Sequence, residues 1–79
     1  MPRLITLGRV GICLYADDHV PPHFHIRTPD GEAQVRIDSL AVIQGELNRA
    51  DLETAIAWAR EPANREALMV EWMRLNERD

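Results

Sequence analysis

Lysine is missing from this chain, cysteine occurs once, and aromatic residues make up only 5% of it. A single thiol, Cys13, excludes an intrachain disulfide and any zinc site built from several thiolates, and this fits a reducing compartment. No apolar run approaches the ~20 residues that a helix needs to cross a bilayer. The N-terminal stretch has Arg3 and several apolar residues, but Gly8, Arg9 and Gly11 interrupt it and no small-residue cleavage pattern follows. The expectation is a cytoplasmic protein without a membrane partner. All its cationic side chains are arginines and its net charge is -4. Broad nonspecific binding of nucleic acid is therefore disfavoured, because phosphate neutralisation needs a basic surface. A small local RNA site is compatible with that charge. The acidic excess lies mainly in the C-terminal half.

What is present is ordinary globular material, 46% apolar and 28% charged, with none of the aliphatic depletion that marks disordered chains. Residues 1–79 read as a single domain, with a β-sheet portion at 1–45 and a two-helix portion at 48–79. A domain this small buries a limited share of its surface, so a homodimer or a second protein fits its thin stability margin. No cofactor can be assigned.

In the front half, Val10, Ile12 and Leu14 alternate with Gly11, Cys13 and Tyr15, the period of a half-buried strand. Phe24 and Ile26 alternate with His23, His25 and Arg27. Pro29-Asp30-Gly31 then forms the strongest turn signal in the chain. Ala33, Val35 and Ile37 alternate after it, which predicts an antiparallel hairpin. Leu4 to Leu7 adds an edge strand, and Ala41 to Gln44 reads as a further strand stopped at Gly45. In the back half the period changes. Asn48 is a helix N-cap with Asp51 three residues on, and Leu52, Ala55, Ile56 and Ala59 recur at helical spacing. Pro62 ends that helix after Arg60 and opens another. Leu68, Trp72 and Leu75 mark the inner stripe of the second helix, widened by Met69 and Met73. The predicted fold is α+β, a small four- or five-stranded antiparallel sheet with two C-terminal helices on one face.

The segment Asp17-Asp18-His19-Val20-Pro21-Pro22-His23-Phe24-His25 holds the chemistry-bearing side chains. If Phe24 and Ile26 face the helices, His23, His25 and Arg27 share the other face, joined by Gln34 and Arg36 and by Cys13 and Tyr15. That predicts an uncovered polar face rimmed by Asp17, Asp18 and His19. Three uses suit it. His23 and His25 aim alike from a strand, and with His19 they form a weak candidate metal set, so no metal is assigned. Alternatively, His23 and His25 serve as acid and base in metal-independent RNA cleavage, with Arg27 or Arg36 clamping phosphate and Tyr15 stacking or passing a proton. In the third reading the imidazoles hold a Pro-Pro turn in shape or line a protein interface. Trp58 and Trp72 read as packing anchors at helical spacing, and Cys13 as a buried inert thiol.

Tyr15-Ala-Asp-Asp18-His19-Val-Pro21-Pro22-His23-Phe24-His25-Ile-Arg27 resembles the Asp-His-x-Pro-Pro-His-Phe-His signature of the bacterial domain of unknown function 4160 family. The strand with Gly turns before it, the hairpin after it and two helices each bearing a Trp extend the likeness over nearly the whole chain. Asp18, His19, Pro21, Pro22, His23, Phe24 and His25 match the pattern, while Val20 stands where a proline sometimes occurs. The resemblance implies a small prokaryotic protein, often encoded beside another small protein in pairs resembling toxin–antitoxin modules. A neighbouring-gene product is thus the partner it implies, and no reaction follows from it.

Overall fold

In the computed structural model, residues 3–16 and 20–76 are described. Five strands run in chain order, β1 (Arg3–Leu7), β2 (Val10–Leu14), β3 (His23–Thr28), β4 (Gly31–Arg36) and β5 (Val42–Glu46), followed by α1 (Arg49–Arg60) and α2 (Pro62–Leu75). Spatial order equals sequence order and every pairing is antiparallel, so the sheet is a meander with β1 and β5 at its edges. This is the predicted α+β arrangement.

Alternation along the strands places Val10, Ile12, Leu14, Phe24, Ile26 and Val35 on one face, where Ile37, Ala55, Ala59, Leu68 and Trp72 complete the core. The helices lean on β2 and β3. Side chains such as Phe24, Ile12, Leu14 and Leu68 are fully buried, each stabilising the fold by about 1.5–3 kcal/mol relative to exposure.

Asn48 caps α1 as its position suggests. Its side-chain oxygen accepts from the Asp51 backbone N–H at 2.8 Å, and its amide donates back to the Asp51 carboxylate at 2.9 Å. Pro62 takes the first turn of α2, where its missing N–H costs nothing. Asn76 closes α2, its side-chain amide donating to the Trp72 carbonyl at 3.0 Å and to the Tyr15 carbonyl at 3.3 Å. That second bond ties the end of the last helix to the end of β2.

Two expectations need correction. Gly45 does not stop the fifth strand but lies inside it, at φ +85 and paired with Ala33, while the register shift falls at Ile43, between the Gln34–Gln44 and Val35–Val42 pairs. A glycine inside a strand marks the close approach of another backbone, here the Glu32 carbonyl. Met73 does not widen the inner stripe of α2, since it is 64% exposed.

Candidate functional site

The signature segment enters β3 through Pro21 and Pro22, with a cis bond between Val20 and Pro21. The Pro22 carbonyl accepts from the Ile37 backbone N–H at 3.1 Å, so the loop is moored to the far end of β4. The register then sets His23 opposite Arg36, His25 opposite Gln34 and Cys13, and Arg27 opposite Glu32 and Gly11. His23, His25 and Arg27 thus share one face with Gln34 and Cys13, as alternation requires.

That face is not uncovered at the imidazoles. His23 is 4% exposed and His25 8%. The Tyr15 ring stands edge-on to His25 at 4.7 Å between centroids, the two imidazoles are 5.1 Å apart, and Trp72 lies 5.1 Å from His23. The alternation argument assigned faces correctly, but it could not show that Tyr15 folds back over its neighbour or that Trp72 extends from the core to the start of β3.

Each imidazole has a defined proton. The Pro21 carbonyl can only accept, so His23 Nδ1–H donates to it at 2.8 Å. His25 Nδ1–H likewise donates to the Glu32 carboxylate at 3.2 Å. In both neutral rings Nε2 is then the proton-accepting nitrogen. Arg27 donates to the Tyr15 hydroxyl at 3.3 Å and lies 3.9 Å from Glu32. The Tyr15 oxygen first, and Glu32 after it, hold its guanidinium more firmly protonated than an ordinary arginine.

Arg36 is engaged elsewhere, gripping Asp38 through two hydrogen bonds of 2.9 and 2.7 Å. The grip lowers the Asp38 carboxyl to about 2. Arg27, with its side chain 59% exposed, is therefore the better placed of the two phosphate-clamp candidates. Phe24 belongs to the core. Asp17, Asp18 and His19 lie outside the described residues. Among the described residues no group of three or more His, Cys, Asp or Glu side chains could hold a metal ion. No helix is long and apolar enough to cross a membrane.

Two contributors escaped the sequence reading. Glu32 is given no role by the strand pattern, though pairing Thr28 with Gly31 across the turn sets it beside Arg27 and diagonal to His25. Trp72 was assigned to packing alone, and nothing in its helical spacing signals the contact with His23.

A family model described as Domain of unknown function (DUF4160) matches residues 10–73, which include β2 to β5, both imidazoles and nearly all of the helical portion. Neither a curated protein nor a solved structure matches the chain significantly. With the match spanning well over half its length, the chain belongs to the DUF4160 family, a domain of unknown function.

Proposed function

We propose that this protein is the protein-binding component of a two-gene, toxin–antitoxin-like module, and that it engages its partner by strand addition along β5. The observation that carries this reading is the edge itself. All five residues of β5 are exposed, and Val42 and Ile43 are each 45% exposed. Natural edge strands are blunted by lysine, proline, a bulge or a covering element, and the one irregularity of β5 lies at Ile43, leaving Gln44 to Glu46 in regular register with β4. β5 contains neither lysine nor proline, and the helices lean on β2 and β3 instead. An extended segment from another chain can satisfy its outer backbone groups and cover its two aliphatic side chains. The resemblance to paired-gene families supplies the partner class, the product of the adjacent gene.

The test is co-purification and calorimetry with that product, using Ile43→Lys on the edge and Val70→Asp on the exposed face of α2 as a control. A complex weakened by the first and untouched by the second supports the reading. No complex, or a complex insensitive to β5, counts against it.

A second reading rests on the pairing of His25 with Glu32. A carboxylate that accepts from Nδ1–H orients the imidazole and stabilises the charge that develops when Nε2 takes a proton, the arrangement of a general base. In RNA cleavage His25 would accept the 2′-hydroxyl proton as its oxygen attacks phosphorus. His23 would act as the general acid that supplies a proton to the departing 5′-oxygen, with Arg27 balancing charge on the phosphoryl oxygens. Growth inhibition on expression, abolished by His25→Ala in a folded protein, supports this. Equal behaviour of parent and variant opposes it.

A further inference from the structure

The polar face of the sheet continues past the histidines toward β5. Gln34 faces Gln44 across the β4–β5 ladder, and Glu32 faces Glu46. Between these pairs Ala33 faces Gly45. A cavity of about 270 Å³ opens there, lined by Glu32, Ala33, Gln34, Gln44 and Gly45. No side chain can stand at Gly45, since a Cβ would fall 2.2 Å from the Glu32 carbonyl. No side chain therefore stands on β5 between Gln44 and Glu46.

The chemistry of the walls is one-sided. Two carboxylates directly opposite on a sheet repel each other. Glu32 is compensated by His25 and Arg27. Among the described residues Glu46 takes part in no ion pair, and neither carboxamide of Gln34 and Gln44 has a side-chain hydrogen bond. Arg27 and His25 engage Glu32 from the β3 side, while the β5 side of the site, at Gln34, Gln44 and Glu46, offers acceptors without a cation, in a chain without lysine and with a net charge of -4. Its volume falls below the range of about 300–1,000 Å³ typical of small-molecule pockets, which suits a single side chain better than a whole metabolite.

We infer that the strand added to β5 carries an arginine that crosses over Gly45 and anchors in this cavity. Its guanidinium meets the Glu32 carboxylate and the side-chain oxygens of Gln34 and Gln44, with Glu46 alongside. A guanidinium presents five donors in a flat fork and no acceptor, the complement of a carboxylate flanked by carboxamide oxygens. This rests on the strand-addition reading and names the chemistry of the partner, a β-strand with a basic side chain on the polar face.

The experiment uses a capped, alternating valine–arginine hexapeptide and the same peptide with citrulline, neutral but nearly isosteric, in place of arginine. Each is titrated into the full-length protein and followed by two-dimensional ¹H–¹⁵N NMR. The expected result is movement of the β5 backbone amides and of the Gln34 and Gln44 side-chain amides with the arginine peptide. Citrulline, or Glu32→Gln in the protein, should weaken binding about tenfold or more. Equal binding of the two peptides, shifts confined to another surface, or a dimer of this chain built on β5 would overturn the inference. Its failure is separable from that of the broader reading. A complex with the adjacent gene product that depends on Ile43 but not on Glu32 removes the arginine anchor and keeps strand addition. Arginine-dependent peptide binding without any such complex does the reverse.

Discussion

Arg9 lies 3.2 Å from the Asp51 carboxylate and also pairs with Asp30, so one side chain in the β1–β2 turn joins the β3–β4 turn to the N-terminus of α1. Both carboxylates hold its guanidinium more firmly charged than usual, Asp30 first. Asp51 is 7% exposed and is hydrogen-bonded to Asn48 as well. Three loops distant in sequence are thereby closed over one end of the sheet.

Asn48→Ala should cost about 1 kcal/mol in urea unfolding, the usual loss for an N-cap. Asp51→Ala removes the return bond of the cap and the buried partner of Arg9 together. A double-mutant cycle of Arg9→Ala with Asp51→Ala should therefore be non-additive. Additive losses would show that the two residues stabilise α1 independently.

Trp72 belongs to the same core cluster as Phe24 and lies against the His23 ring. Trp72→Ala should lower stability by about 3–5 kcal/mol, as for other buried aromatic truncations. Trp72→Phe should retain the fold while shifting the His23 ring resonances. An unmoved His23 would separate the imidazole from the core.

The glycines at positive φ should differ sharply. At Gly8, φ +63, nothing lies within 4 Å of an added Cβ, so Gly8→Ala should cost about 1 kcal/mol, the backbone term alone. At Gly45, φ +85, the same methyl meets the Glu32 carbonyl at 2.2 Å. Gly45→Ala should cost clearly more than Gly8→Ala and weaken hydrogen-exchange protection along β4 and β5. Equal costs would mean that β5 moves aside freely.

Much of this architecture was legible because it follows local periods. Alternation gave β2, β3 and β4, Pro29-Asp30-Gly31 gave the hairpin, and Asn48 and Pro62 gave the helix starts. Gly45 was misread because the residue that ends many strands also permits close approach of a neighbouring strand, and only the β4–β5 register, which pairs it with Ala33, decides between them. At the site, face assignment followed from counting residues, so His23, His25 and Arg27 came together as expected. Burial did not, because it depends on Tyr15 and Trp72 bending toward the imidazoles, a tertiary choice that no spacing encodes. The pairing of Arg36 with Asp38 was equally hidden, although the two residues are separated only by Ile37.

The Arg36–Asp38 pair has a pH signature. The Asp38 carboxyl titrates at about 2 instead of 3.8 because the Arg36 hydrogen bonds favour its charged form. A carboxyl with a depressed pKa adds stability that is fully present above its ordinary pKa and disappears as pH falls through the depressed value. The Asp38 contribution should thus fade between about pH 4 and pH 2. Because both side chains are exposed, the effect on unfolding should be small and is best read at the carboxyl carbon by NMR. Arg36→Ala should return the midpoint toward 3.8. An unchanged midpoint would place the cause outside the Arg36 pair.

The bond between His25 and Glu32 makes a prediction about proton position that does not depend on function. Nδ1–H of His25 donates to the carboxylate at 3.2 Å, while Nδ1–H of His23 donates to a backbone carbonyl at 2.8 Å. Both neutral rings should therefore show the Nδ1–H tautomer in ¹⁵N NMR. Glu32→Ala deletes one acceptor and leaves the other in place. The His25 ring ¹⁵N resonances should then move, while those of His23, held by the main chain at Pro21, should keep their pattern. If both rings change together, the 5.1 Å contact between them transmits the loss of Glu32. If neither changes, the Glu32 carboxylate does not orient His25, and the general-base reading loses the feature it rests on.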